Sequence, residues 1–165
     1  MTNQIKLLIV DDETRFLGTL TQRLRLRGFD VTAVDNGKEA IETAKTGEFE
    51  IALVDLKMPG MDGERVLELL KKNDPFIEVI ILTGHGSLES SVACSKLGSH
   101  GYLQKPCETV ELLQILKDAY KSRVRKKKKL TDEKMDQLTS SSQGDDQMAL
   151  LRILKRMEQE ENEDG

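Results

Sequence analysis

Five times along the chain a short run of β-branched and aliphatic residues gives way to a longer segment whose apolar residues recur every three or four positions. Such repeated β-α units pack as a parallel sheet covered by helices on both faces. Strands are predicted at residues 5–10, 29–34, 49–54, 77–82 and, weakly, 101–103. Near-continuous apolar runs such as Ile51-Ala52-Leu53-Val54 and Val79-Ile80-Ile81-Leu82 fit central strands with no solvent face. The first helix is read from Phe16, Leu17, Leu20 and Leu24, with Gly28 as its C-terminal cap. The second covers 37–46 (Ala40, Ile41, Ala44), and the third covers 64–72 (Val66, Leu67, Leu69, Leu70). The fourth, 88–97, is the least apolar and is expected to be the most mobile. The fifth, 108–120, is expected to turn Val110, Leu113, Leu116, Ala119 and Tyr120 inward. With 165 residues the chain accommodates one such domain and a short appendage.

At 38% hydrophobic and 33% charged residues, the composition suits a soluble core-forming chain. No apolar run exceeds four residues, whereas a membrane span takes about 20 and a secretory leader about 7 to 15. Neither is therefore expected. Cys94 and Cys107 lack the paired spacing of a zinc or thioredoxin-type site and are read as reduced thiols of a cytoplasmic protein.

The polar residues concentrate where the strands end. Strand one runs into Asp11, Asp12 and Glu13, strand three into Asp55, strand four into Thr83, and strand five into Lys105 and Pro106. In a doubly wound sheet these ends share one crevice. Two carboxylates 4 Å apart repel by roughly 4 kcal/mol at an effective dielectric of about 20, so several together need positive charge among them. A hard divalent cation, Mg2+ or Mn2+, fits oxygen ligands of this kind, and Lys105 adds a second positive group.

The segments Leu8-Ile9-Val10-Asp11-Asp12-Glu13, Val54-Asp55-Leu56-Lys57-Met58-Pro59-Gly60-Met61-Asp62-Gly63, Ile81-Leu82-Thr83-Gly84 and Tyr102-Leu103-Gln104-Lys105-Pro106 stand in the order of a known family. From residue 4 to about 122 the chain resembles a bacterial two-component response-regulator receiver domain. That resemblance implies the flavodoxin-like strand order 2-1-3-4-5 and a phosphorelay role. Asp55 would accept a phosphoryl group from a sensor histidine kinase or phosphotransfer protein. Asp11, Asp12, Asp55 and the main-chain carbonyl of Lys57 would hold the cation. Lys105, Thr83 and the Gly84 amide would meet phosphoryl oxygens, Tyr102 would be the switch aromatic, and Lys105-Pro106 would be a cis peptide. The protein would then act through contacts with a downstream protein and would not be an enzyme beyond its own phosphorylation and dephosphorylation. Lys57 and His85 occupy positions that tune dephosphorylation in this family. The reading requires Asp55 to be reachable from water and its neighbours to be close enough to share an ion.

Singly, each residue has an ordinary reading. Asp12 could cap a helix, Asp55 could open a turn, and Thr83 could end a strand. Lys105 could be a solvated turn residue, and Tyr102 a half-buried aromatic. His100 and Cys94 read as structural, and Cys107 as a helix-start residue. Their joint placement at strand ends is what favours the functional reading.

The division expected is a receiver at 1–122, a basic and polar linker at 123–145 and an amphipathic helical tail at 146–165. Residues 123–129 carry six positive charges and residues 157–165 five negative ones. Thr131 is read as the N-cap of a short separate helix to Leu138, residues 140–144 as a flexible linker, and Asp145 or Asp146 as the cap of a helix striped by Met148, Leu151, Leu154 and Met157. That stripe is expected to bind a partner or form a homodimer. The alternative functions are a DNA-binding regulator using the basic run, and an aspartyl-phosphate hydrolase. Without interleaved aromatics the basic run is read as a solvated extension, so neither nucleic acid nor membrane is an expected partner.

Overall fold

The computed structural model describes residues 3–141 and 147–163. Strands β1 (Lys6–Val10), β2 (Asp30–Val34), β3 (Ile51–Val54), β4 (Glu78–Thr83) and β5 (Gly101–Gln104) alternate with helices α1 (Thr14–Leu26), α2 (Gly37–Thr46), α3 (Gly63–Asn73), α4 (Leu88–Lys96) and α5 (Thr109–Ser141), and α6 (Gln147–Glu163) follows. All pairings are parallel, in the order β2-β1-β3-β4-β5. This is the doubly wound, flavodoxin-like α/β fold expected from the sequence. Gln4–Arg123 is one compact unit, and Val124–Gly165 with Met1–Asn3 is another. Among the described residues, no helix is long and apolar enough to cross a membrane.

The two-residue period of the strands sorts the core into two layers. Leu8, Val10, Ala52, Val54, Val79 and Ile81 face α2, α3 and Cys94 of α4. Leu7, Ile9, Ile51, Leu53, Ile80 and Leu82 face α1 and Leu112, Leu116 and Ala119 of α5. Burial on both sides explains why these strands read as unbroken apolar runs. Asn36 and Asp62 accept hydrogen bonds from the Glu39 and Arg65 amides at 2.8 and 2.9 Å and so start α2 and α3. At the end of α1, Gly28 has φ of +92° and the Gly28 and Phe29 amides bond back to Arg25 and Leu24, a Schellman closure.

Several expectations are corrected. Val110 is 76% exposed, and Leu112 is buried in its place, because the inward face of α5 is phased on Leu112, Leu116, Ala119 and Arg123. Thr131 starts no separate helix. No glycine or proline interrupts α5 before its end at Ser141, and the Thr131 hydroxyl bonds back to the Lys127 carbonyl at 3.1 Å inside it. Most of the expected linker is therefore helical. The caps expected at Asp145 or Asp146 lie outside the described residues.

Glu78, at the start of β4, is fully buried, with Ser122 Oγ at 3.2 Å and His100 Nδ1 at 3.5 Å. The structural reading of His100 is consistent with this contact. Cys94 is also fully buried, and burial, followed by the charges of Glu64 and Asp62, pushes its thiol up to about 11. An unfolded thiol ionises near 9 while the folded one stays protonated. Stability is therefore complete below pH 9 and falls as pH rises from 9 to 11, by on the order of 2 kcal/mol. Urea midpoints for wild type and Cys94→Ala across this range should show the extra decline only in the wild type.

Candidate functional site

The crevice forms because β1 and β3 are adjacent and end in register, with Val10 paired to Val54. Each strand is followed at once by an acid. The Asp11 amide still bonds to Val34 O at 3.2 Å and the Asp55 amide to Val10 O at 2.9 Å, so both carboxylates are held by the last rungs of the sheet. Asp11, Asp12 and Asp55 each place a carboxylate oxygen within 4.8 Å of the others. Asp12 is not the cap of α1: that position is Glu13, whose side chain makes no capping bond. Asp12 is half-buried at the mouth of the crevice.

Lys105 crosses from the end of β5. Its amide continues the ladder by bonding to Thr83 O at 2.8 Å, and its peptide to Pro106 is cis. The ammonium lies 2.6 Å from Asp11 Oδ2, 3.7 Å from Asp55 Oδ2 and 3.7 Å from Glu13 Oε1, with the Phe16 ring centroid at 4.1 Å. Burial alone would lower the lysine's pKa, but the bond and charge of Asp11, with Asp55 and Glu13, outweigh it and leave the ammonium above its ordinary value. Burial pushes Asp11 up from its usual carboxylate range, against the lowering effect of Lys105 and the Glu13 amide. Glu13 stood among the strand-end acids of the sequence reading without an assigned role, and Phe16 was read only as an apolar residue of the first helix; their contacts with the ammonium come from the structure.

Asp55 is 2% exposed, less open than the sequence reading required. The Leu56 amide bonds its Oδ1 at 2.8 Å, and the lysine ammonium stands beside its other oxygen. At that exposure a reactant needs the crevice around Asp55 to open. Gly63 fixes the loop after β3. Its amide bonds to Leu56 O at 2.7 Å, and a Cβ there would run into the Asp55 carbonyl oxygen and lie 2.7 Å from Leu56 Cα. This demand for a glycine is visible only in three dimensions.

Thr83 is fully buried as the last residue of β4, and its hydroxyl accepts the His85 amide at 3.1 Å. Gly84, His85 and Lys57 are exposed in the loops at the same sheet end. Tyr102 is half-buried, its hydroxyl 2.7 Å from Ser90 Oγ and 3.3 Å from the Ser87 amide. Ser87 and Ser90 form the capping box of α4, so Tyr102 is tied to the helix with only one buried residue, Cys94.

The three clustered carboxylates satisfy the donor requirement of a hard divalent cation, and the one ammonium paired with them among the described residues leaves them incompletely neutralised.

A model of the response regulator receiver domain matches residues 7–117. The uncharacterized transcriptional regulatory protein YkoG of Bacillus subtilis is 35% identical over 113 residues, 68% of this chain and 50% of that protein. The DNA-binding transcriptional regulator NtrC of Escherichia coli K12 is 32% identical over 111 residues, 67% of this chain and 24% of NtrC. The chain thus spans a quarter to a half of these relatives. A CheY-like receiver domain from Methanospirillum hungatei superimposes with a TM-score of 0.73 at 31% identity, over 75% of this chain and 99% of that one. A Burkholderia pseudomallei response regulator, solved with a phosphorylated aspartic acid, a calcium ion and citrate, matches with a TM-score of 0.66 at 26% identity, over 92% of this chain and 93% of that one. With the strand order, the acidic crevice and the lysine all in place, the chain belongs to the response regulator receiver domain family of two-component systems.

Proposed function

We propose that Asp55 accepts a phosphoryl group in a phosphorelay and that its phosphorylation switches a protein-binding surface. The observation that carries this is the cluster itself: three carboxylates within 4.8 Å at two adjoining strand ends, with one ammonium 3.7 Å from Asp55. Asp11, Asp12, Asp55 and the Lys57 carbonyl would hold Mg2+ or Mn2+. When bound, the cation supplies charge neutralisation between the carboxylates and an incoming phosphoryl group.

An Asp55 oxygen attacks phosphorus, an acyl phosphate forms, and the bond from phosphorus to the donor breaks with its electron pair leaving on the donor. For a phosphohistidine donor the leaving atom is an imidazole nitrogen, which regains basicity and takes up a proton. The protein's share is positioning and electrostatics. Lys105 exchanges its bond to Asp11 for one to a phosphoryl oxygen, which also opens the crevice around the nearly buried Asp55. The Thr83 hydroxyl and Gly84 amide close on the remaining oxygens. Because Tyr102 is tied to the start of α4, displacement of Thr83 and rotation of Tyr102 would carry the signal to the surface of α4, β5 and α5.

The phosphodonor is a histidine kinase or phosphotransfer protein, and the output is a protein target. The chain is no enzyme toward other substrates, and it works in the cytoplasm. Its relatives' names include transcriptional regulators, which keeps a DNA-linked output as the second reading.

Incubation with magnesium and a small phosphodonor, followed by intact-mass measurement, should add one phosphoryl group to the wild type and none to Asp55→Asn. Equal labelling of the two would refute the assignment.

A further inference from the structure

Beyond Arg123, α5 has one face that is not fully open. In residues 124–139 the half-buried positions are Lys127, Thr131, Met135 and Leu138, and the rest are exposed. Steps of four, four and three place these on a single stripe. In α6, residues 151–162 repeat the pattern: Ile153, Leu154 and Met157 are half-buried and the others exposed. A lone helix has no reason to cover one stripe. Both segments belong to the same compact unit.

Charge selects the arrangement. Residues 124–141 run from basic (Arg125 to Lys129) to acidic (Asp132, Glu133, Asp136), and α6 also runs from basic (Arg152, Lys155, Arg156) to acidic (Glu158, Glu160, Glu161). Parallel alignment sets like against like. Antiparallel alignment with Met135 beside Ile153 places Thr131 beside Met157 and Lys127 beside Glu161. The same register sets Lys128 against Glu160, and Asp132, Glu133 and Asp136 against Arg156, Lys155 and Arg152.

Alone, α6 is unfavourably charged at its C-terminal end: it has no base in its last turn, and its glutamates gather toward the negative end of its dipole. An antiparallel basic neighbour removes that penalty. Five residues separate the helices, a length typical of antiparallel helix connections, and such a tether gives an effective concentration in the millimolar range. This favours the chain's own helix over a second copy.

We infer that α6 docks antiparallel on residues 124–141 of its own chain, as a charge-matched strap over the basic run. That run is then neutralised internally and is not free to hold a polyanion. The inference stands independently of the role of Asp55.

A zero-length carbodiimide applied to the full chain, with peptide mapping of the monomer, tests it. Amide links from Lys127 or Lys128 to Glu160 or Glu161 are expected, in a yield independent of protein concentration. Glu160→Lys with Glu161→Lys should abolish them, lower the helical signal and raise the salt needed to elute the chain from immobilised duplex DNA. Adding Lys127→Glu and Lys128→Glu should restore the links with their polarity reversed. Links confined to a dimer would overturn the inference in favour of a second copy. Absence of links with unchanged helicity, or salt-dependent DNA retention by the unmodified chain, would overturn it outright.

Discussion

Lys105→Ala should lose about 3–5 kcal/mol of folding stability in buffer free of divalent ions, the range seen when one partner of a buried ion pair is removed. The Lys105 side chain is 10% exposed and its ammonium touches Asp11 at 2.6 Å, while Asp11 and Asp55 are each 2% exposed, so its loss leaves two buried carboxylates without their counter-charge. Excess magnesium should return much of the loss, since a cation that binds only the folded state stabilises it by mass action. Urea titrations of wild type and variant, with and without magnesium, measure both effects. A variant as stable as wild type without magnesium would mean that the carboxylates are neutralised in some other way.

Gly63→Ala should be nearly as damaging, for a steric reason. The added methyl meets the Asp55 carbonyl oxygen, and it lies 2.7 Å from Leu56 Cα and 2.9 Å from the Asp55 carbonyl carbon. These are main-chain atoms at the end of a central strand and cannot turn aside as a side-chain tip would. The chain must shift there, at about 1–3 kcal/mol or more. Because the shift moves Asp55 itself, phosphoryl uptake should fall in the variant even where it remains folded. Thermal unfolding and intact-mass labelling at low temperature separate the two losses. Labelling at the wild-type rate in a folded variant would show that the loop does not position Asp55.

The strands were legible because burial on both faces leaves Leu7 to Val10, Ile51 to Val54 and Val79 to Leu82 without a polar break. Their bounds were less so: β3 starts at Ile51 where 49 was expected, and β4 runs from Glu78 to Thr83 where 77–82 was expected. Within β4 the polar Glu78 is accommodated because its carboxylate meets Ser122 and His100, brought from distant segments. The site's acids could be read because each follows directly on a strand. The closeness of Gly63 to Asp55 and the positions of Glu13 and Phe16 around Lys105 depend on how loops fold back, which spacing does not encode. The phase of α5 was misread because Val110 and Leu112 are both apolar, and only docking on the sheet decides between them. Its length was misread because Thr131, a good cap in isolation, has helix on both sides of it.

The acids of the crevice stand just past the ends of the sheet, and none of them fills space between the layers. Inheritance of the scaffold and inheritance of the chemistry are therefore separable. A descendant that lost Asp11, Asp12, Asp55 and Lys105 together would leave neither sign of buried charge unmatched, and would persist as a folded module that no longer listens to a kinase.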